Sequence, residues 1–358
     1  MLFAQVQRKG RMKRKILLIG DIRQGKPPVN GEQVKNQLLS GYLRKRHILS
    51  SVDTDHWKSR PWVIIRTLWE TVFGNHDTVI LSASSGSVHN LLALLKTIRV
   101  PTRRIVYLVV GGYVHIGIQK GRFKAKNFNG LKAIVMQGEA MGRSMRALGI
   151  TSPLLVMPNS KPILKTYGNS ERYSEPSTRF LFLGRISEPK GTLLVFKALQ
   201  ESLLSGRSED LTVDFYGTVE KGHETDFFTG LEHHPNCHYR GYLDITGDPA
   251  HAYDVLSSYH AMLFPTSWVG EGFPGVIIDA YVAGLPVIAS DWNMNSEVVK
   301  DGVTGLIIPD CGALELSKAM ASVMDERERW SSMSRACHEA AISYDTDKVL
   351  SQHLEPLL

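Results

Sequence analysis

Cysteine is scarce: Cys237, Cys311 and Cys337 are the three in 358 residues. An odd count without metal-ligand spacing argues against a disulfide framework and a zinc site, and fits a reducing compartment. Long hydrophobic runs are missing too. The most apolar stretch, Ile105 to Ile118, is broken by Gly111, Gly112 and His115 and is too short to span a bilayer. The opening MLFAQVQRKGRMKRK places its charges after a short apolar start, the reverse of a secretory signal. A cytoplasmic protein is expected. No short-period repeat or low-complexity tract interrupts the chain, which excludes solenoid and linker-dominated architectures.

What is present is ordinary in amount and unusual in distribution. Hydrophobic residues make up 43% and charged residues 22%, as in a soluble globular protein of two domains. The net charge of +7 hides a polarity: residues 1–176 carry 29 Lys+Arg against 9 Asp+Glu, and residues 177–358 carry 13 against 26. Such asymmetry suits two domains with different partners. The basic half lacks helix-turn-helix, RNA-recognition and zinc-finger patterns, so no nucleic acid is expected. An anionic membrane or a phosphorylated acceptor is the preferred partner, against the blander reading of a solvated basic surface.

Lys15–Gly20 is a short apolar run ending in glycine and reads as a buried parallel strand. Asn30 is placed to cap a helix over Glu32–Tyr42, with Gln33 in the capping-box position. Thr78–Ser82, Arg104–Val110, Ala133–Met136 and Leu154–Met157 continue as strands between helices. Tyr167–Thr178 (YGNSERYSEPST) is polar and reads as a linker. The alternation restarts at Phe180–Leu183 and runs through Leu211–Tyr216, His260–Phe264, Leu285–Ser290 and Gly305–Ile308. The expected class is α/β, with two Rossmann-like doubly wound domains facing each other across a cleft. The expected boundaries are 1–166 for the first domain, 167–178 for the linker and 179–342 for the second domain. Residues 343–358 are expected as a helix crossing back to the first domain, with Val349, Leu350, His353, Leu354 and Leu357 at helical spacing.

Two constellations carry chemistry. Gly184-Arg185-Ile186-Ser187-Glu188-Pro189-Lys190-Gly191 follows a strand end, where a doubly wound sheet meets its ligand. Arg185 and Lys190 offer two cations, and Gly191 opens a helix whose amides favour an anion. The competing reading is a basic surface turn with Arg185 paired to Glu188. Further on, Gly270-Glu271-Gly272-Phe273-Pro274-Gly275 leads into Val276-Ile277-Ile278-Asp279-Ala280. Gly272 and Gly275 permit close backbone approach, and Pro274 suits a helix start. Glu271 at the helix mouth and Asp279 more than a turn inside could each accept hydrogen bonds from sugar hydroxyls. The plainer readings are a helix-dipole partner for Glu271 and a solvent-facing helix residue for Asp279.

The order GR-x4-KG, EGFP-x4-acid-A, GLPVIAS, DGVTGLIIP over residues 179–310 resembles glycosyltransferase family 4, of the GT-B fold, whose members transfer sugars with retention. By that resemblance the donor is a nucleotide-diphosphate sugar and Arg185 and Lys190 bind its diphosphate. Glu271 would touch the transferred sugar, with the Phe273-Pro274-Gly275 backbone beside sugar and phosphate and Gly184 and Gly272 as close-approach positions. Asp279 would hold the ribose and Gly217-Thr218 would lie near the nucleotide. One departure stands out: the second acid of the family's E-x7-E motif is Asp279, one methylene shorter. In the first half, Gly31 matches a glycine turn near the donor phosphates and Asn159 the closing Pro-Asn. His115 stands three residues beyond the place of the family's sugar-contacting histidine, occupied here by Gly111-Gly112. A structural role for His115 is at least as good a reading, and His89 is a weaker candidate. The resemblance points to surface-polysaccharide assembly, with a saccharide or lipid-diphosphate-saccharide acceptor.

No cofactor and no metal are expected. Asp53-Thr54-Asp55 and Asp345-Thr346-Asp347 match the metal-holding Asp-x-Asp string of the other glycosyltransferase fold, but so short a string arises easily by chance. Arg185 and Lys190 can supply the positive charge instead. A nicotinamide oxidoreductase is disfavoured because Ile19-Gly20-Asp21-Ile22-Arg23-Gln24 lacks the G-x-G-x-x-G turn. Two readings stay open beside the transferase: a GT-B sugar-nucleotide epimerase, and a catalytically weak sugar-nucleotide-binding partner subunit. The mechanism expected is same-face substitution in which the leaving phosphate takes the acceptor proton, with domain closure excluding water.

Overall fold

Burial dictates the strands. Ile16, Leu17 and Leu18 are fully buried, as are Ile80 and Leu81, so both faces of each strand are covered and the runs are continuously apolar rather than alternating. In the computed structural model, which describes residues 12–168, 170–309 and 312–358, two compact units form. One comprises the chain through Met157 together with Val349–Leu358, and the other Pro158–Lys348. Cys311 and most of the N-terminal basic stretch, residues 1–11, lie outside the described residues.

The first unit holds strands β1 (Lys15–Gly20), β2 (Ile48–Asp53), β3 (Thr78–Ser82), β4 (Ile105–Leu108), β5 (Ala133–Met136) and β6 (Leu154–Val156). They form one parallel sheet in the order β2-β1-β3-β4-β5-β6. Its helices are α1 (Gly31–Arg46), α2 (Trp62–Phe73), α3 (Ser85–Thr97), α4 (Val114–Gln119) and α5 (Glu139–Ala147). Asn30 caps α1 by accepting from the Gln33 amide at 2.9 Å, and the Gln33 side chain accepts from the Val29 amide at 2.8 Å. Gly31 is therefore the first residue of the helix rather than part of a preceding loop. The helix also runs on past Tyr42 to Arg46, where Arg44, Lys45 and Arg46 complement its C-terminal dipole.

The second unit repeats the plan with β7 (Thr178–Leu183), β8 (Leu211–Tyr216), β9 (Cys237–Gly241), β10 (Ala261–Phe264), β11 (Val287–Ser290) and β12 (Gly305–Ile308). These strands are also parallel, in the order β12-β11-β10-β7-β8-β9. Around them pack α6 (Thr192–Gln200), α7 (Ser202–Ser205), α8 (Glu224–His233), α9 (Pro249–Ser257), α10 (Gly275–Val282), α11 (Asn295–Val298), α12 (Ala313–Asp325), α13 (Arg327–Ile342) and α14 (Thr346–Val349). An aromatic cluster of Phe182, Phe196, Phe215 and Phe227 joins β7, β8, α6 and α8 in the core.

The segment expected as a linker is instead built into the second unit. Arg172 is fully buried, and its guanidinium donates to the Ser257 carbonyl at 2.6 Å, the Ser334 hydroxyl at 2.9 Å and the Gly284 carbonyl. A polar sequence can be structural when its buried donors find partners, which composition alone does not show. The unit boundary falls between Met157 and Pro158. At the far end, α14 is followed by a π turn over Leu350–Leu354 and a 3-10 turn over Glu355–Leu357, not a continuous helix. Val349, Leu350 and Leu354 are buried in the core of the first unit, beside Ile16, Leu18 and Leu43, and Glu355 meets His47 at 3.1 Å there.

Candidate functional site

In the second sheet the strand order reverses between β7 and β10, and ligands of doubly wound sheets bind outside the strand ends at such a switch point. The two sequence constellations leave these two strands: the Gly184–Gly191 turn follows β7 and the Pro265–Gly275 loop follows β10. Backbone and side chain tie the loops together. The Ser267 amide donates to the Pro189 carbonyl at 2.8 Å and the Thr266 hydroxyl to the same carbonyl at 3.2 Å. The Trp292 indole and Asn293 amide hold the second loop from β11's side, donating to Trp268 O at 2.8 Å and Glu271 O at 3.1 Å.

Lys190 and Glu271 form an ion pair at the centre of this arrangement, and Thr266 donates to the same Glu271 oxygen at 3.2 Å. Both partners are largely buried. The Lys190 ammonium lies 4.9 Å from the Trp268 ring, and the Arg185 guanidinium lies 5.8 Å from that ring. One indole thus gathers two cations on the open side of the sheet. Arg185 does not pair with Glu188; it bonds Glu220 at 3.2 Å, with both side chains about half exposed. Such an exposed pair is weak and can open to an anion at small cost.

Glycine permits the backbone approach. Gly217 has φ +142, and a Cβ there would sit 1.8 Å from the Gly184 carbonyl oxygen. Gly217-Thr218 therefore lies directly against the Gly184-Arg185 turn, where the Ile186 amide donates to Thr218 O at 2.9 Å. Gly191, at φ +83, caps α6, and a Cβ there would meet the Pro265 carbonyl at 2.2 Å. Pro274 is the cap of α10, whose first residue is Gly275. Gly272 precedes the buried Phe273, whose carbonyl accepts from Asn159 at 2.9 Å.

Asp279 is not solvent-facing: it is 2% exposed on α10. Lys161 bonds both of its carboxylate oxygens, and the Tyr253 hydroxyl donates to one of them at 3.0 Å. Burial, with the Asp279 charge added, pushes the Tyr253 hydroxyl far above its usual range. Lys161 is the more open member of the pair, 23% exposed against 3% for the Asp279 side chain. Lys161, Tyr253, Trp268 and Glu220 are residues that sequence reasoning missed. Lone residues of these types have no spacing signature; the nearest clue was Asn159, two positions before Lys161.

In the first unit the corresponding reversal lies between β1 and β3. A cavity of about 750 Å³ opens there, lined by Ile19, Asp21, Glu32, Leu81, Ser84 and further residues of α2 and α3. Burial and the nearby Asp21 push the Glu32 carboxyl up to about 7, and burial pulls Lys35 down to about 8. Gly31, one residue from Glu32, has open space around its Cα. His115 lies in α4; its Nδ1 is buried without a hydrogen-bond partner, and burial lowers its pKa. His89 is structural: its Nε2 bonds the Lys124 amide and the Asn127 side chain, both at 3.0 Å, and its ring packs on Phe123 and Phe128.

Both Asp-x-Asp strings serve the backbone. Asp53 accepts from the amides of Ile22, Arg23, Gln24 and Asp55, which hold its pKa below the usual carboxylate range despite burial. Asp345 accepts from the Ile163 and Lys348 amides, each at 3.2 Å.

Residues 177–326 match the family described as glycosyl transferases group 1. The match lies within the second unit. A phosphatidyl-myo-inositol mannosyltransferase of Mycobacterium leprae is 28% identical over 214 residues, 58% of this chain and 54% of that protein. An uncharacterized 41.2 kDa protein in the cps region of Klebsiella pneumoniae is 26% identical over 175 residues, 48% of this chain and 44% of that protein. The chain thus spans about half the length of these curated relatives. Over its whole length it shares the fold of Anabaena HepE, solved in complex with UDP, with TM-score 0.73 and 14% identity over 94% of this chain and 98% of that one. Sucrose-phosphate synthase of Thermosynechococcus elongatus gives TM-score 0.72 at 12% identity, over 95% and 97%. The fold is GT-B.

Proposed function

We propose that the protein is a glycosyltransferase that moves a sugar from a nucleotide-diphosphate sugar to an acceptor hydroxyl, with retention of configuration and without a metal ion. The observation that carries this reading is the convergence of Lys190, Glu271 and Arg185 around Trp268 at the β7–β10 switch point. Breaking the bond between the anomeric carbon and phosphate moves negative charge onto the diphosphate, and cations fixed in advance lower that barrier. Lys190 and Arg185 take this role, aided by the α6 N-terminus behind Gly191. Glu271 accepts from hydroxyls of the transferred sugar, and its bond to Lys190 keeps it oriented. The Gly272-Phe273-Pro274-Gly275 backbone flanks sugar and phosphate; Gly184, Gly217 and Thr218 line the nucleotide end. Asp279 serves the ribose together with Lys161. In the first unit, Gly31 and His115 are assigned to substrate.

The donor being a nucleotide sugar is supported by HepE, which has been solved with UDP, with UDP and glucose, and with UDP-glucose. The acceptor is a saccharide or a lipid-diphosphate saccharide, held in the first unit at the β1–β3 cavity. The M. leprae relative is named for a phosphatidylinositol substrate, and the Klebsiella relative for its cps region. Its setting is the cytoplasmic face of a membrane, approached through the basic half. Among the described residues no helix is long and apolar enough to cross one.

The test is a thermal-shift screen against UDP-, GDP-, ADP- and dTDP-sugars, then product analysis with the matching donor. Net transfer with a retained anomer supports the proposal, and epimerised donor without transfer overturns it. EDTA should leave the rate unchanged. A second reading, a sugar-nucleotide-binding partner subunit, is favoured by one observation: the Asp279 carboxylate is already engaged by Lys161 and Tyr253. Donor binding without turnover would decide for it.

A further inference from the structure

Helix α2 is buried on one face and apolar on the opposite, exposed one. Val63, Thr67 and Thr71 are buried against the first sheet. On the other side Trp62, Ile65, Trp69 and Phe73 stand 55, 70, 63 and 69% exposed. At 3.6 residues per turn these four fall within an arc of about 80° and run about 16 Å along the helix. The Trp69 and Phe73 rings touch in a tilted arrangement with centroids 4.7 Å apart, so the stripe is continuous at its C-terminal end. A helix that buries one face against its own sheet and displays an apolar stripe on the other has that stripe for a partner.

The rim of the stripe is cationic. Arg60 precedes the helix and Arg66 flanks the stripe, both exposed. Arg104 ends the helix, donating to the carbonyls of Thr71, Gly74 and His76, and Arg103 beside it is exposed. The one acid on the helix, Glu70, is bound by His76 at 2.9 Å.

We propose that this stripe is a bilayer-insertion surface that docks the protein on anionic lipid. The inference rests on the reading of a membrane-side acceptor and names the surface that meets the lipid. Tryptophan, phenylalanine and isoleucine with arginines at the rim are the composition of a helix lying in the headgroup region. Basic residues at that depth gain from anionic headgroups. A second copy of the chain fits poorly. An isologous contact would bring two stripes with the same basic rim face to face, in a half with 29 Lys+Arg against 9 Asp+Glu.

The experiment uses the whole chain with vesicles of phosphatidylcholine alone and with phosphatidylglycerol added. Wild type should float with the anionic vesicles, its tryptophan emission shifting to shorter wavelength and being quenched by brominated lipid. The combined Ile65→Ser, Trp69→Ser, Phe73→Ser variant should lose tenfold or more in vesicle affinity while keeping its melting temperature and sugar-nucleotide binding. Arg66→Glu should weaken binding to anionic vesicles alone. Wild type that stays off the vesicles overturns the proposal, as does a triple variant that binds equally well. A wild-type dimer that the triple variant converts to monomer also overturns it, assigning the stripe to a second copy. Donor binding is read separately in the same samples, so failure of the docking surface and failure of the transferase reading are distinguishable.

Discussion

Lys190 and Glu271 lie far apart in sequence and meet because β7 and β10 are neighbours at the switch point. Lys190→Ala should lower kcat on the order of 10²–10³-fold, the scale of losing one preorganised electrostatic group, and should also lower the melting temperature because it leaves the buried Glu271 carboxylate unpaired. A rate within a few fold of wild type would remove Lys190 from the mechanism. For the Lys161–Asp279 pair the readout is stability. Lys161→Met leaves a buried carboxylate uncompensated and should cost about 3–5 kcal/mol in denaturant unfolding of the second unit. Adding Asp279→Asn should restore most of that loss. If the single variant is as stable as wild type, the pair has no structural weight.

Glu32 provides a pH test. Its folded-state pKa is raised to about 7 from 4.5, so the protonated form is favoured in the folded protein. Stability from this group is full below the unfolded pKa and is lost as pH rises through the folded one. Wild type should therefore lose stability relative to Glu32→Gln between about pH 4.5 and 7. Parallel melting-temperature profiles for the two proteins would show that Glu32 is not held neutral.

At the scale of elements, the donor-side turns depend on backbones that touch. Gly217→Ala puts a methyl group into the Gly184 carbonyl at a φ that side chains rarely adopt. The expected result is a lower melting temperature together with lost nucleotide-sugar affinity, measured by calorimetry. Most strands were legible from sequence because buried parallel strands are short continuous apolar runs, as in Ile16–Ile19 and Phe180–Leu183. Helix ends were less so. The α1 cap was readable from Asn30 and Gln33, but its extension to Arg46 rests on packing of Leu39, Tyr42 and Leu43 in the core. The linker expectation at 167–178 failed because Arg172 finds carbonyl partners at Ser257 and Gly284, distant positions that no local pattern reveals.

For the whole molecule, the C-terminal ten residues contribute to the first unit's core although the chain has just left the second. Deleting 349–358 removes three buried apolar side chains, Val349, Leu350 and Leu354, each of a kind worth about 2–5 kcal/mol for leucine-size truncations. Calorimetry should show the first unit's transition lowered or lost and the second unit's retained. An unaltered scan would mean that the segment is dispensable.

The sequence by itself determined the α/β class, the tandem plan and the two glycine-and-charge motifs. Each is local: apolar runs, glycine turns and charges at short spacing. It also determined the charge polarity between halves. Only the tertiary structure decided what each charge does. It paired Arg185 with Glu220 rather than Glu188, buried Asp279 against Lys161 and Tyr253, and used the Asp53 and Asp345 carboxylates to hold backbone amides. An ionic side chain takes the partner that the fold brings within hydrogen-bond reach, and sequence separation carries no information about that distance. The two loops at the β7–β10 switch point were therefore readable as sets of residues, but the partner of each charge within them was not.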